Sequence, residues 1–401
     1  MMEQRKLCLK ILERTIRDST YTNLSMRNEL SALPLKQRPF CVELINGVLR
    51  KYLLLNHQFE EYIRPNTPER LRIILAMAMY ERFIMEEKEY AVVNEYVSLG
   101  TSKKERAFLN AVLRKATEWK MPEGNDAAAL SIRCSMPLWI TNLILAQYPE
   151  DAERILSSYQ DRSKTYYRIN HRKCVKEDLS SLPVEFLNED IFVSSENLIG
   201  NRLFEEGYFY VQDVASNEIV KALDLTENSV FLDVCSAPGS KLFNALDIVR
   251  PENAYANDLH EHRVDLIREK AEVLGFRDIH LTVHDARDLS SVYETVFDRI
   301  LIDAPCSGLG VLKRRPDIKF HITPTSLDGL VKLQKEILDD VSTLLKKDGI
   351  LVYSTCTINR KENERQISSF LKDHPEFVLE EDRTLIQDEG DYFYYAKLKK
   401  V

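Results

Sequence analysis

Two short segments carry cysteines in settings suited to chemistry. They are Asp303-Ala304-Pro305-Cys306-Ser307-Gly308 and Ser354-Thr355-Cys356-Thr357, and each follows a short apolar run. A lone cysteine is ordinarily a small buried apolar residue. Two of them in polar strand-end turns, one beside an acid, define a reactive pair. A thiolate is a strong nucleophile whose ionised fraction rises with basic neighbours. Lys241 and the run Lys313-Arg314-Arg315 are the cations the sequence offers for that field.

A second group reads as a cofactor site. The run Asp233-Val234-Cys235-Ser236-Ala237-Pro238-Gly239-Ser240-Lys241 follows an apolar stretch and is built of small residues. Small residues let a backbone turn tightly and approach a ligand. This is not the glycine-rich pattern of a dinucleotide site, and Pro238 removes one amide donor. Asp258 stands 19 residues after Gly239, where an acid typically accepts from ribose hydroxyls. Asp285 ends the next apolar run and is placed to accept from an adenine amino group. An adenosine-bearing cofactor without a pyrophosphate fits, and S-adenosylmethionine is the candidate. With a methyl donor, two thiols and a carboxyl suit cytosine chemistry. Carbon 5 of cytosine is a poor nucleophile until a thiolate adds to carbon 6, and a carboxyl at N3 stabilises the developing charge.

The elements that position these residues are legible from about residue 206. Strands are predicted at Ser229–Cys235, Ala254–Asn257, Ile279–Val283, Phe297–Ile302 and Ile350–Ser354, with helices between them, among them Leu327–Lys346 and Lys361–Lys372. That alternation implies a doubly wound α/β fold with a mostly parallel sheet. Phe377-Val378-Leu379 and Tyr392–Leu398 are too close for a helical crossover, so they form an antiparallel pair at the edge of a seven-stranded sheet. The fourth and fifth strands are neighbours in such a sheet, so both cysteines face the cofactor mouth.

Residues 1–122 read as all-α. Leu7, Ile11, Leu12, Thr15 and Ile16 form one apolar stripe, and Ser102-Lys103-Lys104-Glu105 is a capping box opening another helix. Ile45–Lys51 is echoed by Leu109–Lys115, 64 residues on, which suggests a bundle of two similar halves. Residues 123–205 are expected to form a small α+β connector, with a helix over Pro137–Gln160 and a strand over Thr165–Asn170. Residues 206–401 form the catalytic domain.

The chain has 401 residues, 44% hydrophobic and 29% charged, which excludes wholesale disorder. Its net charge of -8 is unevenly spread: residues 1–120 hold 21 Lys+Arg against 15 Asp+Glu, and the remainder 34 against 48. Seven cysteines are too scattered and too odd in number for a disulfide framework, which points to a reducing cytosol. No zinc-type Cys/His spacing is present, so no metal is expected. No apolar run reaches the ~20 residues of a membrane span.

The cysteine segments resemble the two cysteine motifs of the Sun family of RNA cytosine-5 methyltransferases. Cys235–Lys241 resembles that family's cofactor loop. Tyr166–Asn170, Val211–Ser216, Arg314–Lys319 and Phe393–Leu398 resemble its flanking signatures. The resemblance implies that Cys356 is the carbon-6 nucleophile and that Cys306 assists release. Asp303 would contact the base, with Lys241 in support. It also implies that Cys235-Ser236-Ala237-Pro238-Gly239-Ser240-Lys241, with Asp258, Asp285 and Asp303, line the S-adenosylmethionine site. Ser240 stands where the family usually has a second glycine, and Leu242 where threonine is common. Arg38–Arg50 and Ala91–Val97 are similar to NusB-like helical RNA-binding domains. The combination resembles bacterial methyltransferases acting on 16S ribosomal RNA, and it implies a cytoplasmic, monomeric enzyme whose +6 segment contacts phosphates. Alternatives are another RNA target, such as tRNA or 23S rRNA, and a non-catalytic RNA-binding or ribosome assembly factor. The intact cysteine pair disfavours the latter.

Overall fold

The computed structural model describes residues 2–18, 22–293, 297–386 and 390–401. They fall into two compact units: Met1–Arg162 with Leu312–Ile322, and Ser163–Val311 with Thr323–Val401. The segment expected to be a connector, 123–205, is divided between them. Its helices Ala127–Arg133, Leu138–Gln147 and Ala152–Ser158 go with the first unit, and its strands and the short helix Arg202–Glu205 with the second.

The first unit is helical. Helices Met2–Asp18, Thr22–Leu30 and Arg38–His57 are followed by Glu69–Phe83, Glu89–Val97 and Lys103–Lys115. The second trio repeats the first at nearly the offset of the sequence echo. Ile45, Val48 and Leu49 are buried, as are their counterparts Leu109, Val112 and Leu113. The echoed residues are therefore the core-facing positions of the third helix of each half. Gly47 breaks the match with Ala111 for a steric reason: a Cβ at 47 would lie 2.0 Å from the Tyr80 ring. Ser102 caps its helix as expected, accepting from the Glu105 amide at 3.1 Å, but the Glu105 carboxylate turns to the Thr101 amide at 2.7 Å.

The helix expected over Pro137–Gln160 is two helices, Leu138–Gln147 and Ala152–Ser158. Pro149 lacks an amide hydrogen and excludes helical geometry at Tyr148, which adopts φ -134° and ψ 60°. Among the described residues no single helix is long and apolar enough to cross a membrane.

Leu312–Ile322 is seated in this unit by buried polar groups. Lys319 Nζ donates to the carbonyls of Arg50 (2.8 Å) and Ser135 (2.6 Å). The Asp317 carboxylate accepts from the Thr22 amide at 3.2 Å and from Arg315 at 3.2 Å. Of the expected cationic run Lys313–Arg315, Arg315 pairs with Asp317 within the helical unit. Lys319→Met leaves two buried carbonyls without a donor and should cost about 2–4 kcal/mol in urea unfolding. Burial, then the charges of Arg50 and Lys51, push Lys319 down to about 7. The unfolded lysine binds its proton up to about pH 10. Between these values the unfolded state binds more protons, so this site's contribution rises as pH rises. The methionine variant should lose that rise.

The second unit holds two sheets. The smaller is antiparallel, with strands β1 (Tyr166–Ile169), β2 (Val184–Phe186), β3 (Ile191–Ser194) and β4 (Phe209–Val211) in the order β2-β3-β1-β4. Tyr167, Phe192 and Phe209 fill its core. Buried Arg168 pairs with Asp247 at 3.0 Å and donates to Asn217 at 2.9 Å.

The larger sheet contains β5 (Phe231–Asp233), β6 (Ala254–Asp258), β7 (His280–Val283), β8 (Phe297–Asp303), β9 (Leu345–Thr355), β10 (Phe377–Leu385) and β11 (Phe393–Lys400), in the order β10-β11-β9-β8-β5-β6-β7. β5 to β9 pair in parallel, and β11 runs antiparallel between β9 and β10. Strands covered on both faces read as continuous apolar runs, as Ile300–Ile302 and Ile350–Tyr353 do. The expected helix Leu327–Lys346 is Pro324–Ser342, capped by Thr323, which leaves Leu345 to begin β9. The strand order reverses between β5 and β8. A ligand crevice therefore opens beyond the carboxyl ends of these strands.

Candidate active site

Cys306 and Cys356 lie three and one residues beyond the ends of β8 and β9. Asp303 pairs with Ser354 in that ladder, and the Ala304 amide donates to the Ser354 carbonyl at 2.8 Å. Adjacent strand ends therefore bring the two turns together, and the cysteine sulfurs lie 3.2 Å apart. The Gly310 amide donates to the Cys356 carbonyl at 3.0 Å, and a Cβ at Gly310 would meet the Tyr392 carbonyl oxygen at 2.0 Å. Only glycine lets the chain leave the Cys306 turn so close to β11. The hydrogen bond to Cys356, burial and the nearby Glu362 charge hold the Cys306 thiol well above its usual pKa. Cys306 therefore keeps its proton.

Lys241 and Asp303 meet across the crevice. Lys241 Nζ donates to Asp303 Oδ2 at 2.6 Å, and the Ser354 hydroxyl donates to Oδ1 at 3.0 Å. Lys241 is buried and lies over the Phe393 ring, 5.1 Å from its centroid. Three of the four residues expected to act chemically are therefore joined directly or through Ser354 to the turn that carries the fourth.

The loop Cys235–Lys241 crosses the end of β5. The Ser236 amide donates to the Asn257 carbonyl at 2.8 Å, and the Ala237 amide to Asp258 Oδ2 at 3.3 Å. Arg263 braces the same turn by donating to the Ala237 carbonyl at 2.6 Å. Gly239 adopts φ +91°, a left-handed conformation that opens the helix Ser240–Ala245. Gln212, from the signature after β4, donates to the Ser240 carbonyl at 2.7 Å. Serine at 240 thus leaves the turn intact. The Cys235 thiol is raised by burial and by Asp233, so it stays protonated. Asp285 is engaged by Arg287, which donates to it from Nε at 3.0 Å and Nη2 at 2.6 Å and lowers its pKa.

Asn257 and Glu362 were not singled out by the sequence reading, and Asp233 only as the start of the cofactor run. Asp233 is buried beside the Ser236 hydroxyl, which acts against the rise that burial causes, and Asn257 Oδ1 is buried and unpartnered. Burial and the Asp303 carboxylate push Asp233 up to about 7. Orphaned buried polar atoms are rare in native proteins and call for a ligand. A crevice whose acids repel one another suits a cation. S-adenosylmethionine carries a sulfonium and an ammonium group, so the residues present fit it.

The family described as 16S rRNA methyltransferase RsmB/F matches residues 220–399, and the NusB family matches residues 2–118. The probable ribosomal RNA small subunit methyltransferase B of Bacillus subtilis (strain 168) is 30% identical over 399 residues, 93% of this chain and 89% of that protein. The chain belongs to the RsmB/F methyltransferase family. The probable small subunit methyltransferase B of Synechocystis sp. is also 30% identical, over 95% of this chain and 91% of its own length. The solved structure of PH0851 shares the fold with a TM-score of 0.77 at 21% identity, covering 98% of each chain. A methyltransferase homolog from Pyrococcus horikoshii covers 70% of this chain and all of its own, with a TM-score of 0.59 at 22% identity. The chain is accordingly an RNA methyltransferase, and its methyl donor is S-adenosylmethionine.

A pH dependence follows from Asp233. A cationic ligand prefers the ionised acid, so affinity for S-adenosylmethionine should rise as pH rises through about 7. Calorimetric titration at pH 6 and pH 8 should show about a tenfold difference, since an acid titrating at about 7 has about ten times the ionised fraction at the higher pH. Asp233→Asn should weaken binding and flatten the profile.

Proposed function

We propose that the protein methylates carbon 5 of a cytosine in 16S ribosomal RNA through a covalent bond between Cys356 and carbon 6. The observation that carries this reading is the pair of sulfurs 3.2 Å apart at adjacent strand ends, beside the Lys241–Asp303 pair. The Cys356 thiolate adds to carbon 6, and the electron pair of the carbon 5–carbon 6 bond moves toward carbon 5 and N3. A proton held by the Lys241–Asp303 pair hydrogen-bonds N3 and stabilises the charge developing there, and it returns to the pair as carbon 5 attacks the methyl group. S-adenosylmethionine supplies an electrophilic methyl group to carbon 5. The carbon-5 proton then passes to water, the double bond re-forms, and the carbon–sulfur bond breaks with its electron pair returning to Cys356. Cys306, which holds its proton, donates a hydrogen bond to the departing sulfur and stabilises it as a thiolate.

The residues that hold the cofactor in this reading are Cys235–Lys241, Asp258 and Asp303, with Asp233 added. Asp285, bound to Arg287, lies at the adenine end. The helical unit, which carries the +6 segment, holds RNA by phosphate contacts, so affinity falls with salt. The target base is unstacked before it reaches the cysteines. The test is direct. Small-subunit RNA lacking the modification is incubated with labelled S-adenosylmethionine, digested to nucleosides and analysed by mass spectrometry. Label in 5-methylcytidine supports the proposal. Label in an exocyclic amine, a ribose or nothing at all contradicts it.

A further inference from the structure

Behind the cysteine pair lies a buried carboxylate that the mechanism above does not use. Glu362 is fully buried. Its oxygens accept from the Ser307 amide (2.8 Å), the Ser307 hydroxyl (2.6 Å), Gln334 Nε2 (3.1 Å) and Asn359 Nδ2 (3.1 Å). Among the described residues no lysine or arginine pairs with it. The donors come from both cysteine turns and from the helix Pro324–Ser342. Ser307 is next to Cys306, and its hydroxyl also meets the Thr357 hydroxyl at 2.8 Å, next to Cys356. Gln334 also donates to the Pro305 carbonyl at 2.9 Å. Four donors converging on a fully buried carboxylate make it a fixed node, and it acts on its neighbours at short range in a low dielectric.

We infer that Glu362 is a positioning residue that locks the Cys306 turn to the Cys356 turn and orders the pair, so that Cys356 is the sulfur that attacks. The inference rests on the carbon-5 reading for its catalytic consequence but not for its structural one. Two effects combine. The four hydrogen bonds hold the sulfurs at their separation. The carboxylate behind Cys306 disfavours a negative charge on that sulfur, so Cys306 keeps its proton. The geometry is specific to a carboxylate: an amide at 362 would offer only one acceptor oxygen to the Ser307 amide and hydroxyl.

The experiment compares the full-length protein with Glu362→Gln and Ser307→Ala. Each is checked first for the wild-type thermal transition and affinity for S-adenosylmethionine. Alkylation of Cys306 and Cys356 by iodoacetamide is then followed separately by peptide mass spectrometry from pH 6 to 11. Glu362→Gln should move the Cys306 alkylation profile to lower pH by about one unit, because a neighbouring charge is removed. Ser307→Ala should move it the other way, because the carboxylate stays in place and loses the hydroxyl donor. With RNA, kcat should fall more than tenfold for Glu362→Gln while KM for RNA stays within about twofold, the pattern of a lost transition-state interaction. An unmoved Cys306 profile in a folded Glu362→Gln protein, or a kcat within twofold of wild type, would overturn the inference. Should Glu362→Gln fail to fold, the upward shift in Ser307→Ala decides alone. Wild-type protein that makes no 5-methylcytidine would sink the carbon-5 reading, while the alkylation profiles would still decide the role of Glu362.

Discussion

Cys356→Ala should abolish formation of 5-methylcytidine, lowering kcat by about 10⁴-fold or more, the scale on which loss of a covalent nucleophile acts. The size follows from the base itself. Carbon 5 of cytosine carries too little electron density to attack a methyl group until a nucleophile has saturated carbon 6. Neither neighbouring thiol can substitute. Cys306 is held protonated beside Glu362, and Cys235 is held protonated by burial and Asp233. The substitution should leave cofactor binding nearly unchanged, because the Cys235–Lys241 loop is braced by Asn257, Asp258 and Arg263 rather than by Cys356. Calorimetric titration with S-adenosylmethionine separates this outcome from misfolding.

Cys306→Ala should give the opposite signature: a protein–RNA adduct that survives denaturing electrophoresis and carries the transferred methyl group. Attack by Cys356 and methyl transfer remain possible. Release slows by about 10²–10⁴-fold, the usual contribution of a positioned proton-bearing group. At 3.2 Å, Cys306 is the thiol in hydrogen-bond contact with the departing sulfur. Adding Cys356→Ala to this variant should remove the adduct. An adduct that persisted in the double variant would mean that the attacking group lies elsewhere.

The parts of this site that depend on neighbouring strands were legible in the sequence. Apolar runs ending at Asp303 and Ser354 predicted adjacent parallel strands, and the ladder joins these two residues. The Pro-Gly turn after Cys235 was readable for the same reason, since loop chemistry is local. Other features depend on contacts between distant segments. Arg360-Lys361-Glu362-Asn363-Glu364-Arg365 reads as a solvated helix start, yet Glu362 is buried because Ser307 and Gln334, 55 and 28 residues away, satisfy it. Asp233 sits inside an apolar run, where nothing local distinguishes a ligand-facing acid from a strand terminus. The run Lys313–Arg315 follows the Cys306 turn closely in sequence, but Lys319 and Asp317 seat it among the helices instead. The break at Pro149 was visible, and the apolar periodicity on either side of it masked the proline.

The central claim is that carbon 5 of a cytosine is methylated through addition at carbon 6. The most direct measurement uses small-subunit RNA carrying tritium at carbon 5 of its cytosines, with unlabelled S-adenosylmethionine. One tritium should appear in water for each methyl group transferred, and Cys356→Ala should release none. Methyl transfer without tritium release would contradict the claim.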